Sequence, residues 1–196
     1  MKTLAVIPAR KGSKGIAGKN KAILDGIPLV SHTFDFIEDN KNEFITVLST
    51  DDEEIIEISN NYSKINNFGL RPKELSTDRA LTIDVLKYEL KNAEKKFGNF
   101  DAVLLLQPTC PFRKQQDLRN IFDLFSKNDY SSIVSVSLVD DMHPYRMKYI
   151  DDGVLKNFID QGFEDMRPRQ ELPEVYIRSG SYYLSKKSVI KNGSVV

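Results

Sequence analysis

The chain has 196 residues, with 28 Lys and Arg balancing 28 Asp and Glu, and 40% hydrophobic residues. That length suits one domain with a proper core, and the zero formal net charge disfavours a general nucleic-acid or membrane-surface binder. A single cysteine, Cys110, excludes an intrachain disulfide and a cysteine-based zinc site. It fits a cytoplasmic protein, as do the missing apolar core of a secretory signal and the absence of any bilayer-length apolar run.

The first element is an apolar run, Leu4-Ala5-Val6-Ile7-Pro8-Ala9, read as a buried strand. It empties into Arg10-Lys11-Gly12-Ser13-Lys14-Gly15-Ile16-Ala17-Gly18-Lys19-Asn20, where four cations and three glycines fall within eleven residues. Glycines let backbone N–H groups approach phosphate oxygens while Arg and Lys supply the compensating charge, so this loop is expected to hold a polyanion such as a nucleoside triphosphate. The spacing is not that of a P-loop, because Ser13 stands where the first glycine is needed and Asn20 where the metal-binding hydroxyl is needed. Glycines at 12, 15 and 18 also miss the dinucleotide fingerprint.

Pro28 can open a helix in which Val30, Thr33, Phe34 and Ile37 recur at helical spacing. Phe44 to Leu48 reads as a second strand, followed by Thr50 and Glu53 in a capping-box pattern ahead of Ile55, Ile56 and Ile58. In Arg71-Pro72-Lys73-Glu74-Leu75-Ser76-Thr77-Asp78, Arg71 offers a planar donor fork suited to a base carbonyl, while Thr77 or Asp78 can cap the next helix. That helix carries Ile83, Leu86, Leu90, Ala93 and Phe97 on one face. Asp101 to Leu106 reads as a central parallel strand, and Gln107 at its end presents an amide to the cleft. Cys110 reads as a small buried thiol, since His32 and His143, the only histidines, have ordinary structural readings.

Leu118, Ile121, Phe122 and Phe125 give a further amphipathic helix, then Ser132 to Val136 a strand. The alternation of strand and helix predicts a three-layer α/β/α sandwich with a mostly parallel sheet, in one domain spanning 1–196. Residues 140–175 are expected to protrude. Within them Asp151-Asp152-Gly153 marks a hairpin, and Arg167 and Arg169 beside prolines either clamp an anion or form a dimer rim. Tyr182 to Leu184 returns as a late strand.

Taken in order, Ile7-Pro8-Ala9-Arg10-x-Gly12-Ser13-Lys14-Gly15 with Lys19-Asn20, Ser49-Thr50-Asp51, Arg71-Pro72 with Ser76-Thr77-Asp78, Leu106-Gln107-Pro108-Thr109 and Pro168-Arg169-Gln170 resemble the acylneuraminate cytidylyltransferases. The resemblance runs over essentially the whole chain. It implies a reaction of CTP with a nonulosonic acid to give a CMP-sugar and pyrophosphate. By the same resemblance Arg10, Gly12, Ser13, Lys14 and Lys19 hold the triphosphate, with Arg10 and Lys19 catalytic, and Asn20, Arg71 and Thr82 contact the cytidine. Gln107 and Tyr183 line the sugar site. Arg146 and Arg169 reach in from the second protomer of a homodimer. The related CMP-Kdo synthetases are a poorer match, because they place an Asp-containing motif where Leu106-Gln107-Pro108-Thr109 stands. The resemblance also implies Mg²⁺ held by paired aspartates in a Ser-x-Asp-x-Asp motif. The sequence ends at Lys191-Asn192-Gly193-Ser194-Val195-Val196 without it. The expectation is therefore weakened metal binding, with a catalytically impaired CTP-binding homologue or a truncated form as the alternative.

Overall fold

The computed structural model describes residues 1–12, 15–40, 44–139, 142–160 and 162–196. Its contacts divide the chain into two units, Met1–Ser135 with Gly180–Val196, and Val136–Ser179. In the first, β1 (Thr3–Pro8) leads through the basic loop to a small hairpin of β2 (Ile23–Leu24) and β3 (Ile27–Pro28), turned by Asp25-Gly26. Next come α1 (Leu29–Glu38), β4 (Ile45–Ser49), α2 (Glu53–Ser59), β5 (Ile65–Asn67), α3 (Thr82–Phe97), β6 (Ala102–Leu105) and α4 (Gln115–Lys127). β7 (Ser132–Leu138) leads into the second unit, where β8 (Lys148–Asp151) and β9 (Val154–Asn157) pair. β10 (Tyr176–Lys186) and α5 (Lys187–Lys191) end the fold.

The main sheet runs β5-β4-β1-β6-β10-β7. β1 is parallel to β4 on one edge, with Val6 opposite Val47, and to β6 on the other, with Val6 opposite Leu105. β5 continues the parallel set, whereas β10 joins β6 antiparallel, with Tyr183 opposite Leu105. Because a strand alternates faces, β1 serves two cores at once. Ala5 and Ile7 pack with Val30, Phe34 and Ile37 of α1, Ile55 of α2 and Leu118, Ile121 and Phe125 of α4. Leu4 and Val6 pack with Leu86, Leu90 and Ala93 of α3 and Ile190 of α5. The three layers are those the sequence predicts, and the face residues read for α1, α3 and α4 are the ones that turn inward.

Two local expectations are corrected. The cap of α2 is Asp52, whose carboxylate accepts from the Glu54 N–H at 3.1 Å, and not Thr50. The Thr50 hydroxyl instead donates to the Ala9 carbonyl at 2.5 Å and accepts from the Asp52 N–H at 3.1 Å, so it serves the residue before the helix and Asp52 takes the cap. Neither Thr77 nor Asp78 caps α3, which starts four residues beyond Asp78, at Thr82, with Leu81 at its N-cap; Asp78 is drawn away to Arg10. The sequence reading also missed β5 and the β2–β3 hairpin, both too short for a periodic signal.

In the second unit, Asp152 and Gly153 both take positive φ, 48° and 76°, as the two-residue turn of a twisted hairpin requires. This confirms the Asp151-Asp152-Gly153 signal.

Leu104 is fully buried in β6 under α1 and α4. Leu104→Ala should cost about 2–5 kcal/mol of unfolding free energy, read as a drop in the urea midpoint at unchanged slope. A loss under 1 kcal/mol would contradict the assignment of β6 to the centre of the core.

Candidate active site

The parallel strands run in the order third, second, first, fourth, so the direction of winding reverses between β1 and β6. Loops leaving the carboxyl ends of two such strands part from each other and open a crevice. There the structure has a cleft of about 280 Å³, lined among others by Arg10, Gly12, Lys19 and Asn20 from the first loop, Arg71 and Thr82, and Gln107 with Thr109. Segments separated by up to a hundred residues in the chain thus meet at one point. Of the nucleotide-binding residues expected from sequence, Ser13 and Lys14 lie outside the described residues, and the others line this cleft.

The first loop is fastened to its neighbours before any ligand arrives. Ala9 N–H donates to the Ser49 carbonyl at 2.9 Å, Lys11 N–H to the Asp51 carboxylate at 2.7 Å, and the Asn20 amide to the Arg10 carbonyl at 2.9 Å. Gly18, at φ 61°, turns the chain in the left-handed region so that the Lys19–Lys21 turn can follow. The two lysines of that turn separate. Lys21 is bound by Asp52 at 3.0 Å and Glu54 at 2.9 Å, whereas Lys19 lines the cleft. Arg10 donates to Asp78 at 2.6 Å across the mouth, a partly exposed pair.

Arg71 is different, being only 5% exposed. Its backbone N–H donates to the Thr50 carbonyl at 2.7 Å, and its Nε to the Ser76 hydroxyl at 3.2 Å. Asp51 stands 3.9 Å from one terminal nitrogen. Burial pulls the guanidinium below its ordinary pKa, against the charges of Asp51 and Glu89, yet an arginine stays protonated under such conditions. Among the described residues only Ser76 accepts a side-chain hydrogen bond from this five-donor group, which lines the cleft. Holding a buried charge with unfilled donors is costly in isolation and becomes favourable when a ligand supplies acceptors.

Beneath it lies Glu89 of α3, 3% exposed, with Oε2 lacking a hydrogen-bond partner. Burial pushes its carboxyl above the ordinary value of 4.5, while Ser49 and the charge of Arg71 pull the other way without cancelling the rise. The sequence reading missed Glu89, since an acidic residue on a helix carries no distinguishing pattern; Asp51 and Asp78 stood in its motifs, but without these partners.

The remaining expected residues fall elsewhere. Tyr183 sits within β10 opposite Leu105, partly buried against the α3 cluster, and is not among the cleft's lining residues. Arg146 and Arg169 belong to the second unit. Arg146 donates to the Arg167 carbonyl at 2.6 Å and edges a hollow with Tyr145, Glu164, Asp165 and Met166. Arg167 forms a two-pronged pair with Asp165, whose carboxyl is held down to about 2, chiefly by that hydrogen bonding. Both histidines are structural, His32 bonding the Leu24 carbonyl at 2.8 Å and His143 the Pro173 carbonyl at 3.0 Å.

Magnesium needs oxygen donors, usually carboxylates together with substrate phosphates. Among the described residues no carboxylate lines the cleft, and no three His, Cys, Asp or Glu come together as a metal site. The rim carboxylates Asp51 and Asp78 are already engaged by Lys11 N–H and Arg10. These donors do not make a magnesium site, whereas three cations around neutral amides and hydroxyls fit a polyanion.

An α/β/α sheet with a cationic cleft at its switch point is the architecture of the nucleotidyltransferases, and solved structures agree. CMP:2-keto-3-deoxy-manno-octonic acid synthetase complexed with CTP superimposes with a TM-score of 0.70 at 17% identity, over 98% of this chain and 77% of that one. At that identity the likeness shows the fold alone. The sequence goes further: residues 4–189 match the family model described as cytidylyltransferase, and the chain belongs to that family. It is 34% identical over 197 residues to the CMP-N,N'-diacetyllegionaminic acid synthase of Legionella pneumophila, covering 99% of this chain and 82% of that relative. The N-acylneuraminate cytidylyltransferase of Streptococcus agalactiae serotype V is also 34% identical, over 95% of this chain, which spans only 44% of that relative. The pseudaminic acid cytidylyltransferase of Campylobacter jejuni is 31% identical over 93% of the chain and 78% of its own length. No helix among the described residues is long and apolar enough to cross a membrane.

Glu89 yields a signed expectation. A carboxyl whose folded pKa is raised contributes stability that is complete below its unfolded pKa and lost as pH rises through the folded value. Relative to wild type, Glu89→Gln should therefore gain stability as pH rises from about 4.5 to 8. Urea midpoints of both proteins across that range test this, and a constant difference would count against it.

Proposed function

We propose that this chain activates a nonulosonic acid with CTP. The anomeric hydroxyl oxygen attacks the α-phosphorus and loses its proton. The bond from that phosphorus to the bridging oxygen breaks, releasing the CMP-sugar and pyrophosphate. The observation that carries this reading is the cleft bearing Arg10, Lys19 and Arg71, with no carboxylate among its described lining residues, at the winding reversal of the sheet. The names of the three relatives, each a synthase or cytidylyltransferase for a sialic-type acid, support the substrate class.

In this reading Arg10, Lys19 and the Gly12 backbone receive the triphosphate, together with Ser13 and Lys14. Negative charge moves onto the β-phosphate as pyrophosphate leaves, so cations already placed around the cleft would stabilise the transition state more than the ground state. No covalent enzyme intermediate is needed, and positioning carries the rest. Arg71, Asn20 and Thr82 take the cytidine, with the fork of Arg71 suited to the base carbonyl. Gln107 takes the sugar. Tyr183 is proposed to support this wall from within β10. When bound with the nucleotide, magnesium would neutralise phosphate charge, and no residue described here is assigned to it.

A homodimer completes the proposal, with Arg146 and Arg169 serving the partner's sugar carboxylate. What supports it is the apolar exterior of the second unit, where Ile150, Val154, Leu155, Phe158, Phe163 and Met166 are each at least 58% exposed. Apolar side chains this exposed often mark an interaction surface.

Pyrophosphate release with CTP and Mg²⁺ should be seen with one of N-acetylneuraminate, N,N'-diacetyllegionaminate or pseudaminate, and not with Kdo or with ATP, GTP or UTP. Arg10→Ala should reduce kcat by about 10²-fold. CTP binding without release for any acid would instead identify an inert homologue. Light scattering should give twice the chain mass of 22.4 kDa, and a monomer would remove Arg146 and Arg169 from the site.

A further inference from the structure

Gln107 stands where β6 opens into the cleft, but a glutamine at a strand end has several free torsions and no reason of its own to hold one pose. The structure supplies that reason on two sides. Gly180 of β10 has φ 82°, and a Cβ placed on it would meet Cys110 Sγ at 3.0 Å and Gln107 Oε1 at 3.3 Å. The side-chain amide therefore lies in the space that any other residue at 180 would fill. Glycine within a strand marks this kind of close approach.

On the backbone side, the Arg113 guanidinium donates to three acceptors from three segments. They are the Gln107 carbonyl, the Ser181 carbonyl at 3.0 Å and the Thr33 hydroxyl at 3.0 Å. The residue that carries the amide is thus tied to the residue following Gly180. The Tyr182 hydroxyl, donating to the Lys114 carbonyl at 3.0 Å, closes the same seam, and its ring lies 5.9 Å from the guanidinium. A planar fork can serve these acceptors together, whereas a lysine at 113 would offer one point.

We propose that Gly180 and Arg113 are positioning residues that set the pose of the Gln107 amide, and that the room left by Gly180 against Cys110 determines how the nonulosonic acid is received. This rests on the reading that Gln107 contacts the acid. It assigns no chemistry to Cys110, whose size alone matters.

The test uses the full chain saturated with a CTP analogue carrying a methylene between the α and β phosphorus atoms, which cannot react. Calorimetry measures binding of N-acetylneuraminate, N,N'-diacetyllegionaminate and pseudaminate. Gly180→Ala should weaken acid binding about tenfold and leave affinity for the analogue within about twofold, a split that general loss of structure would not produce. Gln107→Ala should weaken acid binding comparably, and adding Gly180→Ala to it should have no further effect, because the first residue acts through the second. Additive losses, or an unchanged acid affinity in Gly180→Ala, would overturn the positioning role. Gln107→Ala without effect, or a wild-type chain that binds none of the three acids, would overturn the reading of Gln107 itself. Should Gly180→Ala fail to fold, Cys110→Val adds bulk beneath the same amide without straining residue 180. It must then show the same selective loss.

Discussion

The structure depends on the double pairing of β1. This strand is hydrogen-bonded in parallel on both edges and covered by helices on both faces, so every one of its positions answers to a neighbour. Such a strand can be built only from small and branched apolar residues, and Leu4-Ala5-Val6-Ile7 meets that demand. The requirement also fixes where the chain must leave the sheet. Once β4 and β6 flank β1 on opposite sides, the loops after β1 and β6 have to diverge, and the cleft is a topological by-product of the packing.

The charges around that cleft are sorted by burial and by partner. Lys21 is neutralised by two carboxylates at the base of α2, Arg71 is sunk beside Ser76, and Lys19 is left facing the cleft. Cations in one short stretch of sequence therefore have different duties, and charge count alone does not reveal them. The buried guanidinium contributes direction, since its plane is held from behind; the more exposed cations contribute field.

Much of this was readable in the residues. The face residues of α1, α3 and α4 announce themselves by period, and the basic loop by its glycines following a buried strand. The nucleotide-side residues Arg10, Gly12, Lys19, Asn20, Arg71 and Thr82, with Gln107, meet in one cleft as the motif order suggested. What stayed hidden depends on contacts between distant segments. Asp52 and not Thr50 caps α2, while the Thr50 hydroxyl links the Ala9 carbonyl, forty-one residues earlier, to the Asp52 N–H. The role of Gly180 depends on Cys110 and Gln107 lying beneath it, and Glu89 matters only because α3 lays it under Arg71. Such pairings have no local pattern, and two- or three-residue strands such as β2, β3 and β5 offer too few positions for a period to emerge.

The Arg10–Asp78 pair has a consequence for selectivity among anions. Because the arginine already has a carboxylate 2.6 Å away, any incoming anion must displace a competitor that belongs to the protein. A carboxylate attached to the same fold acts at high effective concentration, so a singly charged ion in solution competes poorly with it. A polyanion that meets several cations at once would spread the cost of displacement across many contacts. Asp78 thereby sets a modest threshold that a polyanion crosses more readily than a small anion.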